Sequence, residues 1–146
     1  MTFREIEIPG RLLRQDIADR VHRGFVERFA PEMLPRVAPP LWGKAFEDAE
    51  ITDSTYLRTP AFLRHERVLC LVNRALPKPA KKYQRPVYMC RSVALADVLS
   101  QLHWSAHGDF YVFDRTCNWF VAALTERIHQ GAETGNYKLL VSRMDV

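Results

Sequence analysis

The sequence has no glycine-rich phosphate loop, no Walker motif, no Cys-x-x-Cys pair and no Gly-x-Ser-x-Gly elbow. Those absences remove the best-signposted nucleotide-binding, zinc-binding and serine-hydrolase classes. No apolar run approaches the roughly 20 residues that a membrane-spanning helix needs; the longest, 68–72 and 119–124, are of strand length. The opening MTFREIEIPG carries charge where a signal peptide has its apolar segment, so a cytoplasmic location is expected. Cysteine is scarce. Cys70, Cys90 and Cys117 make an odd count without close spacing, which suits neither a disulfide framework nor a metal knuckle. Reduced thiols follow, with Cys70 and Cys90 as small core residues inside apolar runs. There is no internal repeat and no low-complexity segment.

What is present describes an ordinary globular chain. Its 146 residues are 47% hydrophobic and 26% charged, enough for a single domain spanning 1–146 with a real core. The net charge of +4 is unevenly spread: between Arg58 and Arg91 nine Lys and Arg face one acid, Glu66, a local +8 that leaves −4 for the remainder. Positive charge in the middle of the chain points to anionic partners.

In 11–29, Leu13, Ile17, Val21, Phe25 and Phe29 recur every four positions with charged residues between them. That is the pattern of an amphipathic helix, ended by Ala30-Pro31. The stretch 31–54, with four prolines and one glycine, cannot be one long element and reads as a solvated acidic connection with at most a helical turn in 42–49. Residues 67–76 form a β-branched apolar run expected as a central strand buried on both faces. A proline-bounded basic loop follows, then a strand at 87–90. Ser92 is placed to cap a second helix carrying Leu95, Val98, Leu99 and Leu102. Residues 110–113 and 119–125 read as a hairpin around turn residues 115–118, QGAETGN as a loop, and 137–143 as a last strand. The expected fold is α+β: a mostly antiparallel sheet of four to five strands, with the N-terminal helix and the second helix packed on one face.

Candidate chemistry is thin. His103 and His107 have the spacing of two ligands on one helix face, with Asp109 nearby, but lack a glutamate in catalytic register, so no metal is expected. Cys117 stands in a turn with no base or oxyanion donors identifiable around it. No cofactor is implied. The basic segment 74–91 is more informative. Lys78, Lys81, Lys82 and Arg85 surround Tyr83, a mixture that could grip an acidic protein or stack on and neutralise a nucleic acid. The hairpin is apolar on both sides and so needs cover on both. If one side lacks cover from the chain itself, Trp119 becomes a candidate partner anchor. Asp109, Asp114 and Glu126 are expected in solvent near it, because unpaired carboxylates are rarely buried.

The run SVALADVLSQLHWSAHGDFYVFD to NWFVAALTE resembles the C-terminal part of small bacterial α+β proteins similar in build to immunity proteins encoded beside toxins. A short helix leads to an Asp-aromatic-aromatic strand, a tight turn, and a Trp-containing strand ending in an acid. Trp104, Asp109, Tyr111, Trp119 and Glu126 carry the match; where some relatives continue with a histidine, this chain has Arg127. The resemblance implies a non-catalytic binding protein that occludes a toxin or effector partner. Its partner-binding residues would be Asp109, Asp114, Trp119 and Glu126 of the hairpin and Lys78, Lys81, Lys82, Tyr83 and Arg85 of the basic loop. The alternatives are a nucleic-acid-associated accessory protein using 74–91, and an enzyme with an unrecognised site around His103, His107, Asp109 and Cys117.

Overall fold

A computed structural model describes residues 8–35, 43–72, 85–100, 109–127 and 133–142. Among them the chain order is β1 (Gly10–Leu12), α1 (Gln15–Phe29), a short 3-10 turn (Pro31–Met33), α2 (Lys44–Glu47), β2 (Glu50–Thr52), a second 3-10 turn (Ser54–Arg58), α3 (Pro60–Leu63), β3 (Arg67–Val72), β4 (Val87–Arg91), α4 (Ser92–Ser100), β5 (Phe110–Phe113), β6 (Phe120–Arg127) and β7 (Glu133–Val141). One antiparallel sheet takes the seven strands in the order β1-β4-β3-β5-β6-β7-β2. The fold is α+β, with more strands than the four to five expected. The two extra ones are β1 and β2, three residues each, and they form the two edges. Edges that short present few unpaired backbone groups to a foreign strand.

β3, β5 and β6 hold the middle of the sheet, and their alternation sorts the core onto two faces. Leu69, Leu71, Tyr111, Phe113, Phe120 and Ala122 point to one face, where α1 and α2 cover them through Ala18, Phe25, Val26, Phe29 and Phe46. Val68, Cys70, Val72, Phe110, Val112 and Val121 point to the other, under α4 through Leu95, Ala96 and Leu99, and under Leu57 and Phe62. The helices therefore lie on both faces, not on one. This corrects the sequence reading, and the reason is connectivity. β4 and β5 run the same way with β3 between them, so α4 serves as a crossover and packs on the face that α1 leaves free.

The hairpin is consequently core on both sides. Phe25 stacks on Phe113 with ring centroids 4.3 Å apart, Phe29 meets Phe120 edge-on at 4.8 Å, and Phe46 lies 4.6 Å from Phe120. Each such ring contributes about 1.5–3 kcal/mol by leaving water, and the ring pairs add to it. The acidic connection is no mere linker: its α2 delivers Phe46 to this cluster and its β2 pairs with β7.

α1 begins four residues later than 11, because Gly10–Leu12 is drawn into the sheet against β4. Gly10 permits this close approach. A Cβ there would overlap Met89 O and come within 2.7 Å of Cys90 Sγ. Along α1 the buried positions are Ala18, His22, Phe25, Val26 and Phe29, while Ile17 and Val21 are only partly covered. An every-four ladder advances about 40° around a 3.6-residue helix at each step. A ladder that ends at the core at Phe25 and Phe29 therefore starts on the flank, and Ala18 and His22 occupy the core-facing line at the N-terminal end. At the other helix, Ser92 begins α4 with its hydroxyl 3.5 Å from the Leu63 carbonyl. Residues 133–136, expected in a loop, are the first part of β7.

Candidate binding groove

The turn between β5 and β6 is built by Asp114. Its Oδ1 accepts from the Thr116 backbone N–H at 2.9 Å and from the Thr116 hydroxyl, and its carbonyl accepts from Cys117 N–H at 3.1 Å. Its Oδ2 accepts from Trp119 Nε1 at 2.9 Å. Burial pushes the Asp114 carboxyl up, but the bonds from Thr116 and Trp119 prevail and leave it below the usual carboxylate range. Trp119 is 6% exposed, with its ring stacked on His65 at 4.0 Å and edge-on to Phe62 at 6.3 Å. Burial, and then the charge of Arg64, hold His65 below its ordinary pKa. Trp119 is thus a core residue tied down by a charged hydrogen bond, and its role is to fix the turn.

That turn forms one wall of a groove of about 490 Å³ lined by Arg11, Arg67, Val68, Leu69, Met89, Asp114, Arg115 and Thr116. Strand geometry sets the arrangement. Arg67 shares a face with Leu69, and Arg11 is paired with Met89 in the β1–β4 register. Both arginines therefore lie on the α1 side of the sheet, yet no residue of α1 lines the groove. Arg115 enters from the turn. All three arginines are exposed, and none forms a salt bridge with a described carboxylate. Arg67 also stands directly opposite Arg91 across β3 and β4, a like-charge placement that costs stability in a sheet. Asp114, the one acid in the lining, is occupied by Thr116 and Trp119. The result is a basic groove floored by the half-buried Met89 over the buried Leu69, suited to an anionic ligand that also brings apolar surface.

The structure separates the residues proposed from sequence. Asp109 is 6% exposed at the start of β5, so the expectation of a solvent-facing carboxylate fails there; Asp114 is half-buried and engaged. Both lie where the polypeptide enters or leaves a doubly covered strand, and the covering elements enclose them. The backbone of Glu126 lies in β6, and its side chain is outside what the structure describes, as are Lys78, Lys81, Lys82, Tyr83, His103 and His107. Arg85 is half-buried just before β4, its carbonyl accepting from Gln15 Nε2 at 3.3 Å. Of the sequence candidates that the structure describes, Asp114 alone borders the groove. Arg11, Arg67 and Arg115 went unnoticed, because they come from three separate segments and only the strand order brings them together.

The remaining reactive types are turned away from chemistry. Cys70 and Cys90 are buried, and burial raises both thiols, Cys90 to about 12. Cys117 is half-buried at a positive φ of 52°, and burial, then the charge of Asp114, raise its thiol pKa as well. His22 is 2% exposed, has no hydrogen-bond partner on Nε2, and is held to about 4 by burial and then by the charge of Arg85. Among the described residues no group of three His, Cys, Asp or Glu could hold a metal ion. No described helix is long and apolar enough to cross a membrane. Against protein-family models, curated proteins and solved structures, the chain gives no significant match.

Proposed function

We propose that this is a non-catalytic binding protein of the inhibitor kind, which holds a protein partner and occludes it, and that the arginine-lined groove is the point of engagement. The observation that carries the reading is three exposed arginines, unpaired with any described carboxylate, around an apolar floor. Uncompensated guanidinium groups beside apolar surface combine the two ingredients of a protein interface: charge for encounter and register, apolar contact for residence. The toxin-immunity resemblance of the C-terminal part agrees with this role. In this proposal the recognition surface is the groove that the hairpin turn borders, because the aromatic residues of the hairpin are buried in the core.

The reading is tested by co-expression with the product of the reading frame adjacent to its gene. It expects a stoichiometric complex that persists at about 0.5 M salt, because apolar contact outlasts screening. Binding to nucleic acid instead, with affinity falling steeply as salt rises through counterion release, would transfer the function to the accessory-protein alternative.

A further inference from the structure

We infer that the groove takes an extended acidic segment of the protein partner, its carboxylates pairing with Arg11, Arg67 and Arg115 while an intervening apolar side chain lies on Met89. The inference rests on the binding-protein reading and adds the chemistry of the occupant. Each guanidinium presents parallel N–H donors that match the two oxygens of a carboxylate. Arg11 and Arg67 lie on strands separated by β4, and Arg11 is level with Leu69, two residues along β3 from Arg67, so their backbones are about 12 Å apart. In an extended peptide, side chains on one face recur every ~7 Å, so acids four positions apart span two such flexible arginines. The residue midway between them, on the same face, supplies the apolar contact.

Other anions fit less well. A lone phosphate would meet the arginines but leave the half-buried Met89 uncovered. A single-stranded nucleic acid would need an aromatic platform for its bases, and among the described residues that line the groove none is aromatic. The free protein carries Arg67 against Arg91, so an acidic occupant relieves a repulsion already present and should raise the melting temperature.

The test titrates the full chain with four probes: a synthetic ten-residue peptide in which Glu and Leu alternate along one face with Ser between them, its Gln-for-Glu counterpart, a ten-nucleotide single-stranded DNA, and inorganic phosphate. Binding is followed by calorimetry and by thermal shift. The same titrations are run on Arg67→Glu/Arg115→Glu and on Arg20→Glu/Arg23→Glu, which makes the same charge change on α1. The expected result is binding of the acidic peptide with a rise in melting temperature, at least tenfold weaker in the groove variant and within threefold in the α1 variant. The Gln peptide should bind at least tenfold more weakly than the acidic one. Equal loss in both variants, equal binding of the Gln peptide, or tighter binding of DNA or phosphate than of the acidic peptide would each overturn the inference. If the acidic peptide fails while the groove variant still loses the intact partner, the occupant's chemistry is wrong and the binding role stands. If the groove variant keeps the intact partner, the binding role itself fails. Because both groove arginines are exposed, an undiminished melting temperature of the unliganded variant certifies its fold; should it drop, Arg67→Gln/Arg115→Gln replaces it.

Discussion

Replacing Trp119 separates two roles that the hairpin could have had, and the structure gives the size of each effect. Trp119→Ala removes a nearly buried indole between His65 and Phe62, which for an aromatic core residue costs about 3–5 kcal/mol. Trp119→Phe keeps a ring for His65 to stack on but deletes the Nε1 donor to Asp114 Oδ2. A hydrogen bond to a charged acceptor is worth about 1.5–3 kcal/mol, and the half-buried position of Asp114 favours the lower end. The assay is urea unfolding of wild type, Trp119→Phe, Asp114→Ala and the double variant, read as a thermodynamic cycle. Asp114→Ala loses the Thr116 bonds in addition, so it should cost more than Trp119→Phe, and the double variant should cost less than the sum by about 1–2 kcal/mol. If Trp119→Ala stays within about 1 kcal/mol of wild type, Trp119 is not core. The anchor role set aside above would then return.

Protonation of His22 should govern acid stability. Its folded pKa of about 4 lies below the ordinary 6.5, so the unfolded chain binds the proton more readily; its stabilising effect is complete above about pH 6.5 and is lost as pH falls through 4. The full difference is about 3 kcal/mol, and His22→Leu should flatten that part of a stability-versus-pH curve; an unchanged slope would refute the burial argument. Gly10→Val should destabilise by about 1–3 kcal/mol by forcing β1 off β4, visible as loss of hydrogen-exchange protection at the β1–β4 pairing; retained protection would contradict the close approach. In a thiol-reagent assay the native protein should show one slowly reacting cysteine, Cys117, and all three only after unfolding. Fast native reaction of a second thiol would mean that Cys70 or Cys90 is accessible.

Much of the fold could be read along the chain, because local periodicity carries it. The strand at 67–72, the strand at 87–91, the α4 stripe of Leu95 and Leu99, and the hairpin of Phe110–Phe113 with Phe120 are all visible as alternation or helical spacing. What escaped was set by non-local pairing. Gly10–Leu12 and Glu50–Thr52 are too short to show a period, and they are strands only because β4 and β7 offer them an edge. The placement of α4 on the second face depends on the crossover between β4 and β5, and no run of residues announces it. His22 carries no apolar signal and reaches the core because a four-residue ladder drifts around its helix. The candidate site was the least legible part. The aromatic residues of the hairpin drew attention by composition, yet the core consumes them, and Asp114 is taken up in building the turn. The groove is made of single arginines from β1, β3 and the β5–β6 turn, each ordinary in its own sequence context.

The central claim is that this groove holds the partner, and charge reversal at its two flanking arginines tests it most directly. Isothermal titration of the partner against wild type and Arg67→Glu/Arg115→Glu is predicted to show affinity lowered about a hundredfold or more, equivalent to ~2.7 kcal/mol, with the free variant melting no lower than wild type, since a glutamate in place of Arg67 would face Arg91. Equal affinity for the two proteins, both folded, would contradict the account.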